Sequence, residues 1–307
     1  MATKKRRRKI TPVVIIFVLI AAVAAVIYGA VTGKFSGDEN QTLATPPTVP
    51  DEGTINVHFI DVGQADCILF MTEDGNMIID AGTNSSEDEL KLYLDNLGIT
   101  SFKYAVFTHF HEDHIGGADL IMNNYDVENV ILPDAVATTV TYEKLMDAIE
   151  KSDAKVTVAV PGETFYIGAL QNTILAPNSA HEDNANNTSV VLKTEYGNTS
   201  FMLTGDAEVE SEEEILEKFG ADALKCDLLK MGHHGSSTST SDEFLKAVSP
   251  SIAVISCGVD NSYGHPHAET LEKLNNAGIK YYRTDLLGSV VFKSDGENIT
   301  FVENNKK

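Results

Sequence analysis

The 307 residues point to an α/β domain, two β-sheets face to face with helices outside, preceded by a single membrane-crossing helix. Three features carry this. From Thr54 onward, short runs rich in β-branched residues alternate with stretches of helical spacing. Strand-rich blocks occur in both halves, each with helices inserted. Ahead of them, residues 11–33 form an uncharged, mostly apolar run about long enough to cross a bilayer as a helix.

The chain divides into four parts. Residues 1–10 hold the basic cluster KKRRRK, expected to stay in the cytoplasm. Residues 11–33 are the expected anchor, because AAVAAVIYGA stays apolar to its end without a small-residue cleavage site. That orientation places residues 34–307 outside the cell, in a single-pass membrane protein. Residues 34–53 are polar, rich in Pro and Thr, and read as a tether. Residues 54–307 form the domain, with no further boundary.

Within the domain, TINVHFID, CILFMT and NMIIDA read as opening strands separated by turns. SEDELKLYLDNLG reads as a helix, capped by Ser85 or Ser86 and stopped at Gly98. KYAVFTH is a strand, HIGGADLIMNN begins a helix, and VENVILP and KVTVAV flank the helix TYEKLMDAIEKS. A more continuous β region follows in ETFYI, LQNTILAP, TSVVLKTEYG and NTSFMLTGD. Then come the helix EVESEEEILEKFG, the strand ALKCDLLKM, the helix SDEFLKAV, the strand SIAVISCG and the helix AETLEKLNNAG. KYYRTD, GSVVFKS and ENITFVE close the chain as strands.

Composition excludes some functions. Seven of the 23 Lys and Arg precede residue 51 but only two of the 45 acids do, so the remainder carries 16 basic and 43 acidic residues, a balance of −27. Such a surface aids solubility and repels polyanions, unlike a typical nucleic-acid binder. Cys67, Cys226 and Cys257 each sit in an apolar run, which suits buried thiols and no disulfide framework.

The chemistry concentrates in loops after strands: HFHEDH after YAVFT, GDAE after TSFMLT, GHHGS after DLLKM, and YGHPH beyond SIAVISCG. Three of the nine histidines fall in HFHEDH. His109 and His111, two apart on extended chain, point the same way; Asp113 and His114 begin the next element and face a second point. Imidazole and carboxylate are ligands of Zn, Mn and Fe, so this segment can serve two neighbouring cations. Asp206 in LTGD suits a bridge, since one carboxylate spans cations about 3.5–4 Å apart, and it also suits a helix N-cap. His233, His234, His265 and His267 must supply the remaining groups.

HFHEDH matches the H-x-H-x-D-H signature of the metallo-β-lactamase superfamily. The chain resembles most the metallo-β-lactamase-like domain of ComEC competence proteins, through DVGQAD, IIDAG, FTHFHEDHIGG, NNTSVVL, LTGD, LLKMGHHGSSTS, NSYGHPH and YYRTDLLGS in that order. One anchor stands in place of that family's multi-helix channel. The resemblance implies an αββα metallo-β-lactamase-like sandwich with two divalent ions, Zn or Mn. His109, His111 and Asp206 would hold one; Asp113, His114, Asp206 and His234 the other, with His265 an alternative to His234. Where the superfamily carries a third histidine, this chain has Asn186 or Asn187, and His181 is a nearby substitute.

Two cations acidify a shared water enough to give hydroxide near neutral pH. The expected reaction is therefore hydrolysis of a phosphoester by metal-bound hydroxide, as in a phosphodiesterase or nuclease. His233 and, more weakly, Glu208 are the acid/base candidates beside Asp113; His265, His267 and Asn187 are expected to touch substrate or brace the ligands. The substrate would be nucleic acid or a small or cell-wall phosphodiester, the latter suiting the acidic charge better. The alternatives are an amide, lactam or thioester hydrolase on the same fold, and a non-catalytic metal-binding surface module.

Overall fold

The computed structural model describes residues 50–181 and 183–302. The basic segment, the expected anchor and residues 34–49 of the tether lie outside them. Among the described residues no helix is long and apolar enough to cross a membrane.

Two sheets form the centre. The eight-stranded sheet runs, edge to edge, Ile299–Val302, Val290–Ser294, Ile55–Phe59, Ile68–Thr72, Gly75–Ile79, Tyr104–Val106, Asn129–Leu132 and Lys155–Val158. The seven-stranded sheet runs Lys280–Arg283, Ile252–Ile255, Leu228–Lys230, Thr199–Leu203, Val191–Tyr196, Leu170–Ala176 and Thr164–Ile167. Strand alternation explains how they meet. Ile55, Val57 and Phe59 point inward to Phe201, Leu203 and Leu192 of the opposite sheet, with Phe70 edge-on to Phe201 at 5.5 Å. His58, between them, points outward and bonds Tyr93 on the helix Glu87–Asn96.

Helices cover both outer faces by the same periodic logic. Leu90 and Leu94, then Leu145 and Ile149, pack on Leu69, Ile78 and Ala105. Ile215, Phe244, Val248 and Leu274 pack on Met202, Leu229, Ala253 and Ile255. Four layers result, in the order helix, sheet, sheet, helix. All three cysteines are free and buried.

Some segments depart from the sequence reading. ALKCDLLKM is strand only at Leu228–Lys230; Ala221–Leu224 is a helical turn that folds Leu224 into the outer core after Gly220 breaks the preceding helix. Thr284–Leu287 is helical where the pattern of KYYRTD predicts extended chain, because Thr284 Oγ1 is tied to Cys257, donating to its carbonyl and accepting from its N–H. TSVVLKTEYG begins pairing only at Val191, after a tight turn at Ala185–Thr188.

Strand direction positions the site. Gly75–Ile79, Tyr104–Val106 and Asn129–Leu132 run parallel, as do Thr199–Leu203, Leu228–Lys230 and Ile252–Ile255 in the other sheet. Parallel neighbours release their following loops at one edge. Residues 80–84, 107–114, 204–208, 231–236 and 256–267 all leave from strands of this kind.

Candidate metal centre

The construction starts at Asp80, directly after its strand. Its carboxylate accepts from the Thr108 backbone N–H and Oγ1, both at 2.7 Å, and lies 2.7 Å from Nδ1 of His114. It fixes both the entry to HFHEDH and the orientation of one ring. Gly116 allows the close packing this needs: a Cβ there would sit 2.1 Å from the Asn84 nitrogen.

His109 and His111 bring Nε2 and Nδ1 to 3.0 Å of one another. Burial, and then the charge of His114, hold His109 well below the usual imidazole range, which leaves it in the neutral, ligating form. Ser189 Oγ accepts the Asp206 N–H at 3.1 Å and lies 3.3 Å from His109 Nδ1, locking the two halves of the site together.

Asp206 is the hub. Its Oδ2 lies 3.2 Å from His114 Nε2 and 4.0 Å from His109 Nε2, and its Oδ1 lies 3.5 Å from His234 Nε2. His234 Nε2 is also 3.3 Å from Asp113 Oδ2. One atom each from Asp113, His114, Asp206 and His234 falls within 4.8 Å of all the others. His114 Nε2, His234 Nε2 and Asp206 Oδ1 are buried, and these close approaches lack the geometry of hydrogen bonds. Orphaned polar atoms of this kind are costly unless something shared satisfies them, and two imidazoles with two carboxylates form a donor set for a divalent cation. The residues fit such an ion.

The field points the same way. Burial alone would lower His114 and His234, yet the carboxylates of Asp206 and Asp80 hold His114 well above its ordinary range. Asp206 and Asp66 push His234 up to about 10. The pocket thus favours positive charge. His234 is held by backbone strain, since both it and His233 adopt left-handed φ values of 55° and 47°, and its Nδ1 donates to the Ser256 carbonyl at 3.0 Å. Behind it, Asp66 Oδ1 lies 3.4 Å from the same Nδ1, and Asp66 Oδ2 pairs with the fully buried Lys230 Nζ at 2.8 Å. Burial raises Asp66, but Lys230 and His234 together bring it down to about 2.

The remaining expected residues divide. His233 lines the cleft, Nε2 3.7 Å from Asp206, while its Nδ1 donates to Glu208 at 3.0 Å. Glu208 stands behind His233, accepting from Thr238 Oγ1 and Asn184 Nδ2 at 2.7 Å each. Burial is outweighed by those bonds, so the carboxyl stays below its usual range while it accepts from His233. His265 lines the cleft with Nδ1 3.2 Å from Gln64 Nε2, but His234 rather than His265 enters the four-residue cluster. His267 lies outside it: Nδ1 accepts the Ser237 N–H at 2.9 Å and Nε2 donates to the Tyr263 carbonyl, so it staples two loops. Of the two asparagines, Asn186 lines the cleft; Asn187 is spent on the Glu208 N–H and Glu210. His181 turns to Glu214 at 3.0 Å, away from the cleft.

Sequence reasoning gives no role to Asp66, Asp80, Ser189, Lys230, Gln64 or Tyr263, although the motifs DVGQAD, IIDAG, LLKM and NSYGHPH contain most of them. The cleft measures about 550 Å³ and is open on one side, where Tyr263 stacks on His265 at 5.7 Å. A groove of about 600 Å³ between the helices Asp242–Val248 and Ala268–Ala277 holds none of this chemistry.

The family model described as "Metallo-beta-lactamase superfamily" matches residues 60–259. The chain belongs to the metallo-β-lactamase superfamily. It is 31% identical over 273 residues to ComE operon protein 3 of Bacillus subtilis, a match covering 83% of this chain and 35% of that protein. It is 29% identical over 252 residues to Competence protein ComA of Neisseria gonorrhoeae, covering 80% and 33%. The chain thus spans about a third of the length of the curated relatives it matches. Among solved structures, the metallo-beta-lactamase fold protein YhfI from Bacillus subtilis superposes with a TM-score of 0.54 at 12% identity, covering 78% of this chain and all of that one. That likeness concerns the fold.

Proposed function

We propose that the chain is a membrane-anchored, extracytoplasmic phosphodiesterase that works with two divalent cations and cleaves phosphodiesters of the nucleic-acid type. The fold family is one of metal-dependent hydrolases in general. The observation that carries the finer reading is the convergence of donor atoms from Asp113, His114, Asp206 and His234 within 4.8 Å, beside the facing nitrogens of His109 and His111.

In this reading His109, His111 and Asp206 hold one cation; Asp113, His114, Asp206 and His234 hold the other. Zn and Mn both suit such donors. A bound pair supplies Lewis acidity, acidifies water and neutralises charge developing on a phosphoryl oxygen. The chain does the rest. Asp80, Ser256 and Ser189 set the ring orientations, and Asp66 with Lys230 holds His234 from behind. His233, aligned by Glu208, presents Nε2 to the cleft and protonates the departing oxygen there.

Two observations support nucleic acid as the phosphodiester. One relative is named a competence protein, and the exposed Tyr263 ring at the rim, backed by His265, offers a stacking face for a base. The −27 balance of the domain disfavours broad backbone contact with any polynucleotide, which needs Lys and Arg, so recognition in this reading is confined to the few nucleotides at the cleft. Residues 11–33 supply the anchor in this reading.

The test is purified full-length chain in detergent, stripped and reloaded with Mn²⁺ or Zn²⁺, assayed on single-stranded DNA, duplex DNA, bis-p-nitrophenyl phosphate and nitrocefin. Cation-dependent cleavage of single-stranded DNA and of the small diester is expected. Turnover of nitrocefin alone would replace this reading with a lactam hydrolase, and no turnover of any substrate with a non-catalytic metal-binding module.

A further inference from the structure

Resting on the two-cation reading above, we propose that Asn186 is a ligand of the first cation position through its side-chain oxygen. That position then has two imidazoles, a carboxylate and an amide oxygen, a set tilted toward Mn²⁺ relative to three imidazoles and a carboxylate.

The direction of the amide is decided by its neighbours. Asn186 Nδ2 lies 3.3 Å from Glu208 Oε1 and 3.5 Å from His233 Nδ1. A carboxylate only accepts, so the NH₂ end must face Glu208; the flipped amide would set oxygen against oxygen. Oδ1 therefore points the other way. It is buried, on a residue only 9% exposed, and has no hydrogen-bond partner in the protein. An unanswered buried carbonyl costs about 1–3 kcal/mol.

Three further observations support the first position for that oxygen. Asn186 lines the same cleft as His111 and Asp206. The turn Ala185–Thr188 leads into Ser189, whose Oγ contacts both the Asp206 N–H and His109 Nδ1, so the turn is registered against the two groups that define the position. The competing donors are committed elsewhere: Asn187 to Glu208 and Glu210, and His181 to Glu214. The bias in metal follows from donor type, since amide and carboxylate oxygens suit Mn²⁺ whereas imidazole suits Zn²⁺.

The experiment is cation binding to full-length chain, read by elemental analysis, competitive titration and Mn²⁺ electron paramagnetic resonance, independent of turnover. Wild type is expected to bind two Mn²⁺ with an exchange-coupled spectrum. Asn186→Ala should weaken one equivalent on the order of tenfold or more, sparing the other. Asn186→His should restore two equivalents while shifting the Zn²⁺/Mn²⁺ affinity ratio at that position toward Zn²⁺ on the order of tenfold. Circular dichroism checks folding, and if the alanine variant does not fold, the histidine variant decides alone. Wild-type affinities for both metals in the variants, or a single equivalent in wild type, overturn the proposal. Two equivalents, one of them dependent on Asn186, without cleavage of any phosphodiester would uphold it and defeat the proposed activity instead.

Discussion

Lys230 and Asp66 form an ion pair of 2.8 Å with both side chains essentially inaccessible to water, and the far oxygen of Asp66 reaches toward Nδ1 of His234. Lys230 Nζ also donates to the Met231 carbonyl at 2.8 Å. Breaking a buried pair on one side leaves a charge uncompensated. Lys230→Met is therefore expected to lose about 3–5 kcal/mol in denaturant melts. The double variant Lys230→Met with Asp66→Leu should recover most of that loss yet bind the cation at His234 more weakly. Equal stability of Lys230→Met and wild type would show that the pair is not the constraint described.

The bond from His233 to Glu208 predicts a dependence on leaving group. His233→Gln should lower kcat about 10²–10⁴-fold on oligonucleotides, whose departing alkoxide needs a proton. With p-nitrophenolate, which leaves unprotonated, the loss should be small. Glu208→Gln should show the same pattern more weakly. A uniform loss on both substrates would place His233 in binding alone.

Tyr263, 68% exposed and stacked on His265, predicts a base-binding contribution at the rim. Stacking on an aromatic ring is worth about 1–3 kcal/mol per base. Tyr263→Ala should raise KM for a short single-stranded oligonucleotide by about tenfold with kcat nearly unchanged, and Tyr263→Phe should behave as wild type. An unchanged KM in the alanine variant removes nucleobase recognition from this face.

His58, buried beneath the helix Glu87–Asn96 and bonded to Tyr93, is held down to about 4 by burial. Its folded value is below the unfolded 6.5, so the unfolded chain binds the extra proton. Stability from this group is complete above pH 6.5 and is lost as pH falls toward 4. The shift corresponds to roughly 3 kcal/mol. His58→Gln should flatten the acid side of the stability profile in that window, measured by chemical denaturation from pH 7.5 to 4. Parallel profiles for the two proteins would count against it.

Much of the fold is legible in the sequence because alternation and helical spacing are local: INVHF, ILFMT and TSFML each carry their inward face in plain view. The candidate ligand loops are legible for a related reason, since His109 to His114 sit together and Asp206 and His234 each come soon after a strand. The departures arise where local pattern and tertiary need diverge. Lys230 sits in an apolar run with nothing nearby to explain it; its partner is Asp66, brought close only by packing of the two sheets. Asn186 and Asn187 differ only in the rotation of one tight turn, which no periodicity records. Asp80 is one acid among many until Thr108 and His114 close on it.

The proposed donors are divided along the chain: His109, His111, Asp113 and His114 precede Val160, while Asn186, Asp206 and His234 follow Glu163. Were the backbone nicked between those points, neither piece would hold a full ligand set, and uptake of cations would report that the two pieces had rejoined. A cation bound at Asp206 and His114 would rivet them, resisting separation by as much as its affinity for the assembled state exceeds that for the parts.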